Sequence, residues 1–328
     1  MGYRYVFGPV RSRRLGVSLG VNNIPYKVCS YTCIYCQLGR TIRLSAERRR
    51  YSDPEAVARE VAAALEEAGR VDYVSFVPDG EPTLDLSLGE EIERIEADIG
   101  ARVAVFTNSS LLWRGDVRSE LARASYVSLK VDAGSEKTWR AIDRPAPVLG
   151  YSLVMDGVRR FAKDHGGAVY LTTETMLVAG VNDSRDELER IADILAELEP
   201  RKAYIAAPTR PPAEPWARPP TAEKLVEAHE VFRERGLRAE LLAAPEPGPP
   251  ELVGDDPVEA LYRTIAVHPL PLDTARSLLA EKGLNPEEGL QRLLSKSDVV
   301  EARFRGRVFL ARRPAAGARA APATRGTS

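Results

Sequence analysis

All three cysteines of this 328-residue chain lie within eight consecutive residues, as Cys29, Cys33 and Cys36. Random placement would give such a cluster on the order of once in a thousand chains, so the spacing C-x3-C-x2-C is informative. An odd number of cysteines argues against a framework of disulfides, and a chain of this length buries enough surface to need none. The chain must therefore fold so that one loop presents three thiols.

Three thiolates on one loop can each bind one iron of a [4Fe–4S] cube, a cluster that usually has four cysteine ligands. The chain has no fourth cysteine, so one iron would stay open for a substrate or cofactor, as in catalytic metal sites. The alternative is a structural zinc site with a histidine as the fourth ligand. The three histidines fall in or near predicted helices far along the chain, and zinc sites favour two paired halves of ligands. The pattern favours the cluster.

Short β-branched runs alternate with longer amphipathic segments between residues 16 and 235. Six strands are predicted, each followed by a helix; the first spans 16–24 and the last 202–208. Such alternation predicts a parallel sheet with helical crossovers. The predicted fold class is α/β, a partial (β/α)6 TIM-like barrel, with an open doubly wound sheet as the alternative.

Proline-rich segments divide the chain. We predict a barrel domain over residues 1–243, a Pro-rich linker over 244–256 and a small C-terminal module over 257–313. The module has three short helical patterns followed by two strands, which is the outline of a winged helix. Residues 314–328 show no periodicity and are predicted to form a disordered tail.

Polar residues and a glycine follow the predicted strands at their C-terminal ends, where barrels of this kind collect functional residues. Asp79-Gly80-Glu81-Pro82 follows the second strand, Asn108 ends the third, and Lys130 and Asp132 end the fourth. Each of these also has a plain interpretation as a turn or a polar strand end.

The long fifth strand contains Thr173 and Glu174 next to each other. One of the two must face the barrel interior because side chains alternate along a strand. An inward Glu174 would be a costly buried charge and hence a site candidate, whereas an inward Thr173 would be unremarkable. The sequence leaves this choice open.

The cysteine motif, with Tyr35 directly before the last cysteine and a serial βα chain around it, resembles the radical S-adenosylmethionine (radical SAM) superfamily. The wider stretch GPVRSRRLGVSLGVNNIPYKVCSYTCIYCQLGRT resembles the branch related to the wyosine-base synthetases that act on tRNA, as do DGEPTLD, TNSSLL and SLKVDAGSEKTWRAIDRP. The likeness covers about residues 6–215. Those synthetases carry further cysteines for a second cluster, which this chain lacks, so we do not expect it to make the tricyclic base.

The resemblance implies that Cys29, Cys33 and Cys36 ligate a [4Fe–4S] cluster whose open iron binds S-adenosylmethionine. Reductive cleavage of the sulfur–C5′ bond would give a 5′-deoxyadenosyl radical, which abstracts hydrogen from an unidentified substrate: a nucleic acid such as tRNA, a peptide or a small molecule. An external electron donor of the flavodoxin or ferredoxin type would supply the electron. The protein would orient the reactants and exclude water.

The resemblance also assigns contacts to S-adenosylmethionine. Tyr35 would lie against its adenine side. Gly80 and Glu81 stand where the superfamily often has Gly-Gly-Glu; Gly80 would let the backbone approach closely, and Glu81 or a carbonyl would accept from the amino group.

Three strand-end residues complete the predicted cofactor site. Asn108 would bond a ribose or carboxylate oxygen, Lys130 the methionine carboxylate and Asp132 a ribose hydroxyl. The alternative for each is an ordinary polar residue at the end of a strand.

The net charge of −1 hides two basic ends, because residues 1–50 carry +9 and residues 301–328 carry +6, which leaves −16 between them. Such ends predict tRNA or another polyanion as a possible partner. The alternative is that they pair with the acidic middle. No apolar run approaches the length of a membrane span and no secretory signal is evident, so we expect a cytoplasmic protein with no membrane partner.

Two other functions are alternatives to the radical SAM enzyme. One is an iron–sulfur regulatory protein that senses redox state and binds DNA through a C-terminal winged helix. It would need a cluster but not polar motifs at successive strand ends. The other is a zinc-stabilised barrel hydrolase, for which the chain lacks histidine ligands and paired acids.

Overall fold

A computed structural model describes residues 2–242 and 248–313. Residues 243–247, which include part of the predicted linker, and the predicted tail 314–328 lie outside the described residues. The elements up to residue 242 are β1 (Val6–Ser12), β2 (Gly16–Val21), β3 (Val28–Cys29), β4 (Arg43–Leu44), α1 (Pro54–Glu67), β5 (Tyr73–Phe76), α2 (Leu88–Glu93), β6 (Val103–Thr107), α3 (Gly115–Leu121), β7 (Tyr126–Lys130), α4 (Glu136–Ile142), α5 (Tyr151–His165), β8 (Tyr170–Met176), α6 (Arg185–Leu198), β9 (Lys202–Ala206), α7 (Ala222–Glu234) and β10 (Ala239–Leu242). The C-terminal elements are α8 (Pro257–Val267), β11 (Leu270–Pro271), α9 (Leu272–Glu281), α10 (Pro286–Leu294), β12 (Val299–Phe304) and β13 (Arg307–Arg312).

The main sheet has eight strands in the order β1-β2-β5-β6-β7-β8-β9-β10. All neighbours from β2 to β10 are parallel, whereas β1 pairs with β2 in the antiparallel sense. The sheet curls into a partial barrel, so the predicted α/β fold class is confirmed. The sheet is wider than the six predicted strands. Gly8 and Pro9 lie within β1 and resemble a turn in the sequence, so this strand was not predicted. At the opposite edge, β10 adds one further parallel strand.

Amphipathic helices cover the outside of the sheet, and α6 shows how the sequence builds them. The Ser184 side chain caps its first turn by accepting from the Glu187 backbone. Leu188, Ile191 and Leu195 then recur at helical spacing and are fully buried. Burying each such side chain stabilises the fold by roughly 1.5–3 kcal/mol, which outweighs helix propensity as the reason the segment is helical.

Alternation along the strands sorts the barrel interior into layers. Tyr126 lies level with Tyr170, and the two rings stack with centroids 5.5 Å apart in a layer of aromatic side chains inside the barrel. Two residues further along each strand pair, Ser128 lies level with Thr172; two more bring Lys130 level with Glu174. Glu174 therefore faces the interior, which answers the question that the sequence left open.

The C-terminal elements comprise three helices and a three-stranded antiparallel sheet in the order β11-β13-β12. They have an apolar core of their own, centred on the fully buried Leu261, Leu279, Leu293 and Leu310. The three helices and the hairpin lie where they were predicted, and β11 adds a short third strand. The assignment as a winged helix stays a prediction.

These elements pack against the barrel rather than standing apart from it. Helix α8 lies on β1, and the Glu251 backbone donates to the Pro9 carbonyl at 2.7 Å. Val253 is buried in the barrel core, and the Tyr26 hydroxyl donates to the Arg312 carbonyl at 2.6 Å. The domain division 1–243, 244–256 and 257–313 stays a prediction. Among the described helices, none is long and apolar enough to cross a membrane.

Candidate functional site

The three cysteines lie on one loop, residues 29–36, which we call the cysteine loop. It leaves β3 and is fastened by neighbours on several sides. The Ile34 backbone donates to the Ile142 carbonyl at 2.9 Å, and the Thr41 hydroxyl donates to the Tyr31 carbonyl at 2.6 Å. Tyr31 and Ile34 are buried beneath the loop. The thiols are thus held in place by contacts from several neighbouring segments.

Two nitrogen donors point at sulfur atoms of this loop. The Asn108 amide lies 3.5 Å from Cys29 Sγ, and Lys27 Nζ lies 3.2 Å from Cys36 Sγ. Lys27 is only 2% exposed and adopts a left-handed backbone with φ of 56°. Burial disfavours its ammonium ion, but the sulfur atoms of Cys36 and Cys29 raise the pKa of Lys27 above its ordinary value.

Burial raises the pKa of Cys29 to about 12 and holds that of Cys33 well above its ordinary range. These thiols therefore stay protonated until a cation replaces the protons, which coordination to a metal does outright. No three His, Cys, Asp or Glu side chains in the described ranges are placed to share one metal ion. A [4Fe–4S] cube does not require three side chains around a single metal ion, because each thiolate binds a different iron. The donor set fits a [4Fe–4S] cluster better than zinc.

The loop after β5 lies directly on the start of the cysteine loop. A Cβ on Gly80 would stand 1.7 Å from the Val28 carbonyl oxygen, so only glycine fits. The Glu81 backbone donates to the same carbonyl at 3.3 Å, and the Lys27 backbone donates to the Asp79 carbonyl at 3.2 Å. The predicted reason for Gly80, close approach of the backbone, thus has a defined neighbour.

Glu81 is turned into the protein. Its carboxylate accepts from the Thr83 backbone at 3.1 Å, the Thr83 hydroxyl at 2.6 Å, the Thr107 hydroxyl at 2.6 Å and the Asn108 backbone at 2.7 Å. Burial raises its pKa, and these donors work against that shift. In this geometry Glu81 positions Asn108. Of the two predicted acceptors for the amino group, the carbonyls of the loop are the better placed.

Tyr35, Lys130 and Asp132 form one network with Glu174 and Arg14. Lys130 Nζ donates to Glu174 at 2.5 Å and lies 3.9 Å from Asp132. Arg14 also donates to Glu174, and the Tyr35 hydroxyl donates to Asp132. Burial would raise the pKa of Glu174, but Lys130 and Arg14 outweigh it and lower the pKa to about 2. Glu174 is therefore a carboxylate between two cations.

A cavity of about 340 Å³ lies inside the barrel, beside the cysteine loop. Apolar side chains such as Phe106 and Met176 line much of it. Its polar lining includes Arg14 and Glu174, and Cys36 forms part of its wall. Cys36 and the interior network thus border the same cavity.

The C-terminal elements contribute to the wall of this cavity. Gln37 donates to the Val267 carbonyl at 3.0 Å, and Arg210 donates to the Pro269 carbonyl at 3.2 Å. The Arg210 guanidinium also lies 2.6 Å from His268 Nε2. Burial, together with the Arg210 charge, holds the pKa of His268 well below its ordinary value, so a neutral imidazole accepts this hydrogen bond.

The structure brings the predicted site residues together in two groups. Asn108 and Gly80 touch the cysteine loop, whereas Tyr35, Lys130 and Asp132 face the interior network. Sequence analysis missed other residues at the site: Arg14, Lys27, His268 and Asp143, which accepts from the Tyr35 hydroxyl at 3.3 Å. Strand-end position, the signal that indicated the others, does not apply to Lys27 or His268, which reach the site only through tertiary contacts.

Comparison with known proteins places this geometry in context. The family model for the Radical SAM superfamily matches residues 23–195. The UPF0026 protein MJ1312 of Methanocaldococcus jannaschii is 36% identical over 306 residues, which cover 92% of this chain and 94% of that protein.

Two solved structures share the fold at low sequence identity. A radical SAM methyltransferase from Sphaerobacter thermophilus aligns with a TM-score of 0.53 and 22% identity, over 69% of this chain and 67% of that one. TYW1 with a lysine-pyruvate adduct bound aligns with a TM-score of 0.52 and 16% identity, over 73% and 76%. At these identities the likeness shows the fold alone.

Proposed function

The chain belongs to the radical SAM superfamily, and on that premise we propose that it cleaves S-adenosylmethionine at the cysteine loop and uses the product radical on a substrate in the barrel cavity. It is a radical SAM enzyme. One observation carries the proposal: Cys29, Cys33 and Cys36 lie on one braced loop, and Cys36 lines the cavity. The reaction that follows hydrogen abstraction stays open.

Cys29, Cys33 and Cys36 would hold the [4Fe–4S] cluster and leave one iron open for S-adenosylmethionine. When bound, the two groups supply one-electron cleavage of the sulfur–C5′ bond to methionine and a 5′-deoxyadenosyl radical. The chain's own part is to orient and shield. Lys27 and Asn108 direct N–H groups at the thiol sulfurs, which stabilises negative charge there.

We assign the cofactor contacts to the residues that adjoin the loop. The carbonyls around Gly80 would accept from the amino group, and Asn108 would bond a carboxylate or ribose oxygen. Tyr35 would lie on the adenine side, Lys130 would bind the carboxylate and Asp132 a ribose hydroxyl. Their convergence on the loop and the cavity supports this assignment.

The size of the cavity favours a small substrate. About 340 Å³ is near the lower end of ordinary ligand sites, and S-adenosylmethionine would occupy part of it, so a metabolite or a single group of a larger substrate, such as one side chain or one base, fits. The Arg14–Glu174 pair offers a charged group of each sign to such a substrate.

The nucleic-acid partner stays a prediction. Several residues of the basic leading segment already have internal partners, since Arg48 is buried against Asp116 and Glu120 and Arg40 binds Glu214. Titration of bulk tRNA at two salt concentrations tests it, because phosphate neutralisation gives a steep salt dependence. Nothing in the comparisons supports the alternative of a DNA-binding redox sensor.

Anaerobic reconstitution tests the proposed function directly. We expect about four irons per chain, as for one cube, and formation of 5′-deoxyadenosine when dithionite and S-adenosylmethionine are added. The Cys33→Ala variant should lose both. Stoichiometric zinc in protein made with ample iron, or intact S-adenosylmethionine with a fully loaded cluster, would contradict the proposal.

A further inference from the structure

One side of the cysteine loop faces away from the cavity. Two segments, one containing Ala146 and the other containing Glu214, pack against that side. In the first segment, the Ala146 backbone donates to the Ser30 carbonyl at 2.8 Å. In the second, the Glu214 backbone donates to the Ile34 carbonyl at 2.9 Å. Ile34 directly follows Cys33, so the second segment lies one residue away from a thiol. We call this side the outer face of the loop.

The outer face carries exposed apolar side chains. Val148 is 76% exposed and Trp216 is 51% exposed, and each follows an exposed proline. Exposed apolar residues on a well-packed support mark interaction sites, and tryptophan is among the residue types that dominate binding energy.

The same face has an excess of positive charge. Arg40 binds Glu214 through two nitrogens, each at 3.0 Å, and Arg144 donates to that carboxylate at 2.5 Å. Arg218, two residues beyond Trp216, is exposed and forms no salt bridge with any described residue. Two guanidinium groups thus bind one carboxylate, and Arg218 adds a third positive charge on the same segment. The docking patch, as we define it, consists of Arg40, Arg144, Val148, Trp216 and Arg218.

We propose that the docking patch receives a small acidic redox protein of the flavodoxin or ferredoxin type. The inference rests on the proposed function, because only a cluster in the cysteine loop gives such a partner something to reduce. The C-terminal elements cover the cavity side, whereas on the outer face the segment through Glu214 contacts the residue next to Cys33 and also carries Trp216 and Arg218. Positive charge attracts an acidic partner and speeds its encounter.

The exchange at this surface is a single electron transfer. With flavodoxin as donor, the anionic flavin hydroquinone gives up one electron and becomes the neutral semiquinone. The oxidised cluster takes that electron, its charge falls by one, and no proton moves.

The test uses the reconstituted holoenzyme and a double variant of exposed residues, Trp216→Ser with Arg218→Glu. Neither side chain forms a hydrogen bond or ion pair with another described residue, so the fold should tolerate both changes. The matched control is Val226→Ser with Arg303→Glu. Val226 is also 51% exposed, and Arg303 is an exposed arginine on β12.

Stopped-flow absorbance measures the rate of cluster reduction by flavodoxin hydroquinone and, separately, by a reduced ferredoxin. We expect the double variant to react about tenfold more slowly at low salt and to lose most of the salt dependence, as when complementary charge is removed. The control should match the wild type. Dithionite should reduce all three proteins alike, and oxidised flavodoxin should bind the double variant more weakly in calorimetry.

Equal protein-mediated rates in the double variant and the wild type would overturn the docking patch, even with a functional cluster. So would loss of tRNA binding without loss of electron transfer, which would make the patch a nucleic-acid surface. A wild-type chain that takes up no reducible cluster would instead overturn the proposed function and, with it, the reason for a donor.

Discussion

Lys27 shows how much one residue adds beyond the cysteine motif. Its buried ammonium group lies 3.2 Å from Cys36 Sγ, and positive charge beside cluster sulfurs favours the reduced, more negative state. We expect Lys27→Met to load iron but to have a lower reduction potential than the wild type. A redox titration followed by EPR measures this. Lys137→Met, which removes an exposed lysine, should leave the potential unchanged; an unchanged potential in Lys27→Met would contradict the assignment.

A second residue-scale prediction concerns pH. The Ser52 hydroxyl lies between the carboxyls of Asp85 and Glu91, and its single hydrogen can serve only one of them. Burial raises the pKa of Glu91 from 4.5 to about 8, so the folded protein keeps this carboxyl protonated. The unfolded chain releases the proton near 4.5, and the stabilisation is therefore full below that pH and lost as pH rises to about 8.

Glu91→Gln cannot ionise and should remove this pH dependence. Relative to the wild type, its free energy of unfolding should improve between about pH 5 and about pH 8, since only the wild type then loses stability. Urea unfolding of both proteins at the two pH values measures whether this difference in the free energy of unfolding increases with pH. A difference that stays constant across this range would mean that Glu91 is ionised in the folded state.

At the scale of elements, the contact between the Gly80 loop and β3 is the tightest link to the cysteine loop. Gly80→Ala places a Cβ against the Val28 carbonyl, and neither backbone can move without displacing the other. We expect this variant to lose most of its iron. Gly69→Ala is the matched control, because nothing lies within 4 Å of its added Cβ. Iron analysis of both proteins tests this expectation. Normal iron content in Gly80→Ala would show that the cysteine loop binds iron without this contact to the Gly80 loop.

The same elements show what the sequence can predict. Parallel strands end at one edge, so Asn108, Lys130 and Asp132 could be placed near the cysteines from strand order alone. The inward orientation of the Glu81 side chain could not be predicted, because it depends on a hydrogen bond from Thr107 on the neighbouring strand. The wall segment at His268 was equally out of reach, since nothing local in that helical pattern encodes where it packs.

At the scale of the whole molecule, the C-terminal elements shield the site. Deleting residues 257–328 removes Val267 and Pro269 from Gln37 and Arg210. We expect a folded barrel whose cluster is lost faster to an iron chelator, with circular dichroism to confirm the fold. His268→Ala in the full-length chain should give a smaller increase. Identical rates of cluster loss in all three proteins would mean that these elements play no shielding role.

The wall of the cavity joins residues from both ends of the chain, from Phe7 to His268. Synthesis therefore makes the cysteine loop early and its cover late. At ribosomal speeds of roughly 5–20 residues per second, Cys36 precedes His268 by tens of seconds. During that interval the C-terminal part of the cavity wall has not yet been made. The order of the sequence thus leaves a period in which a cluster can be inserted before the C-terminal elements close the cavity.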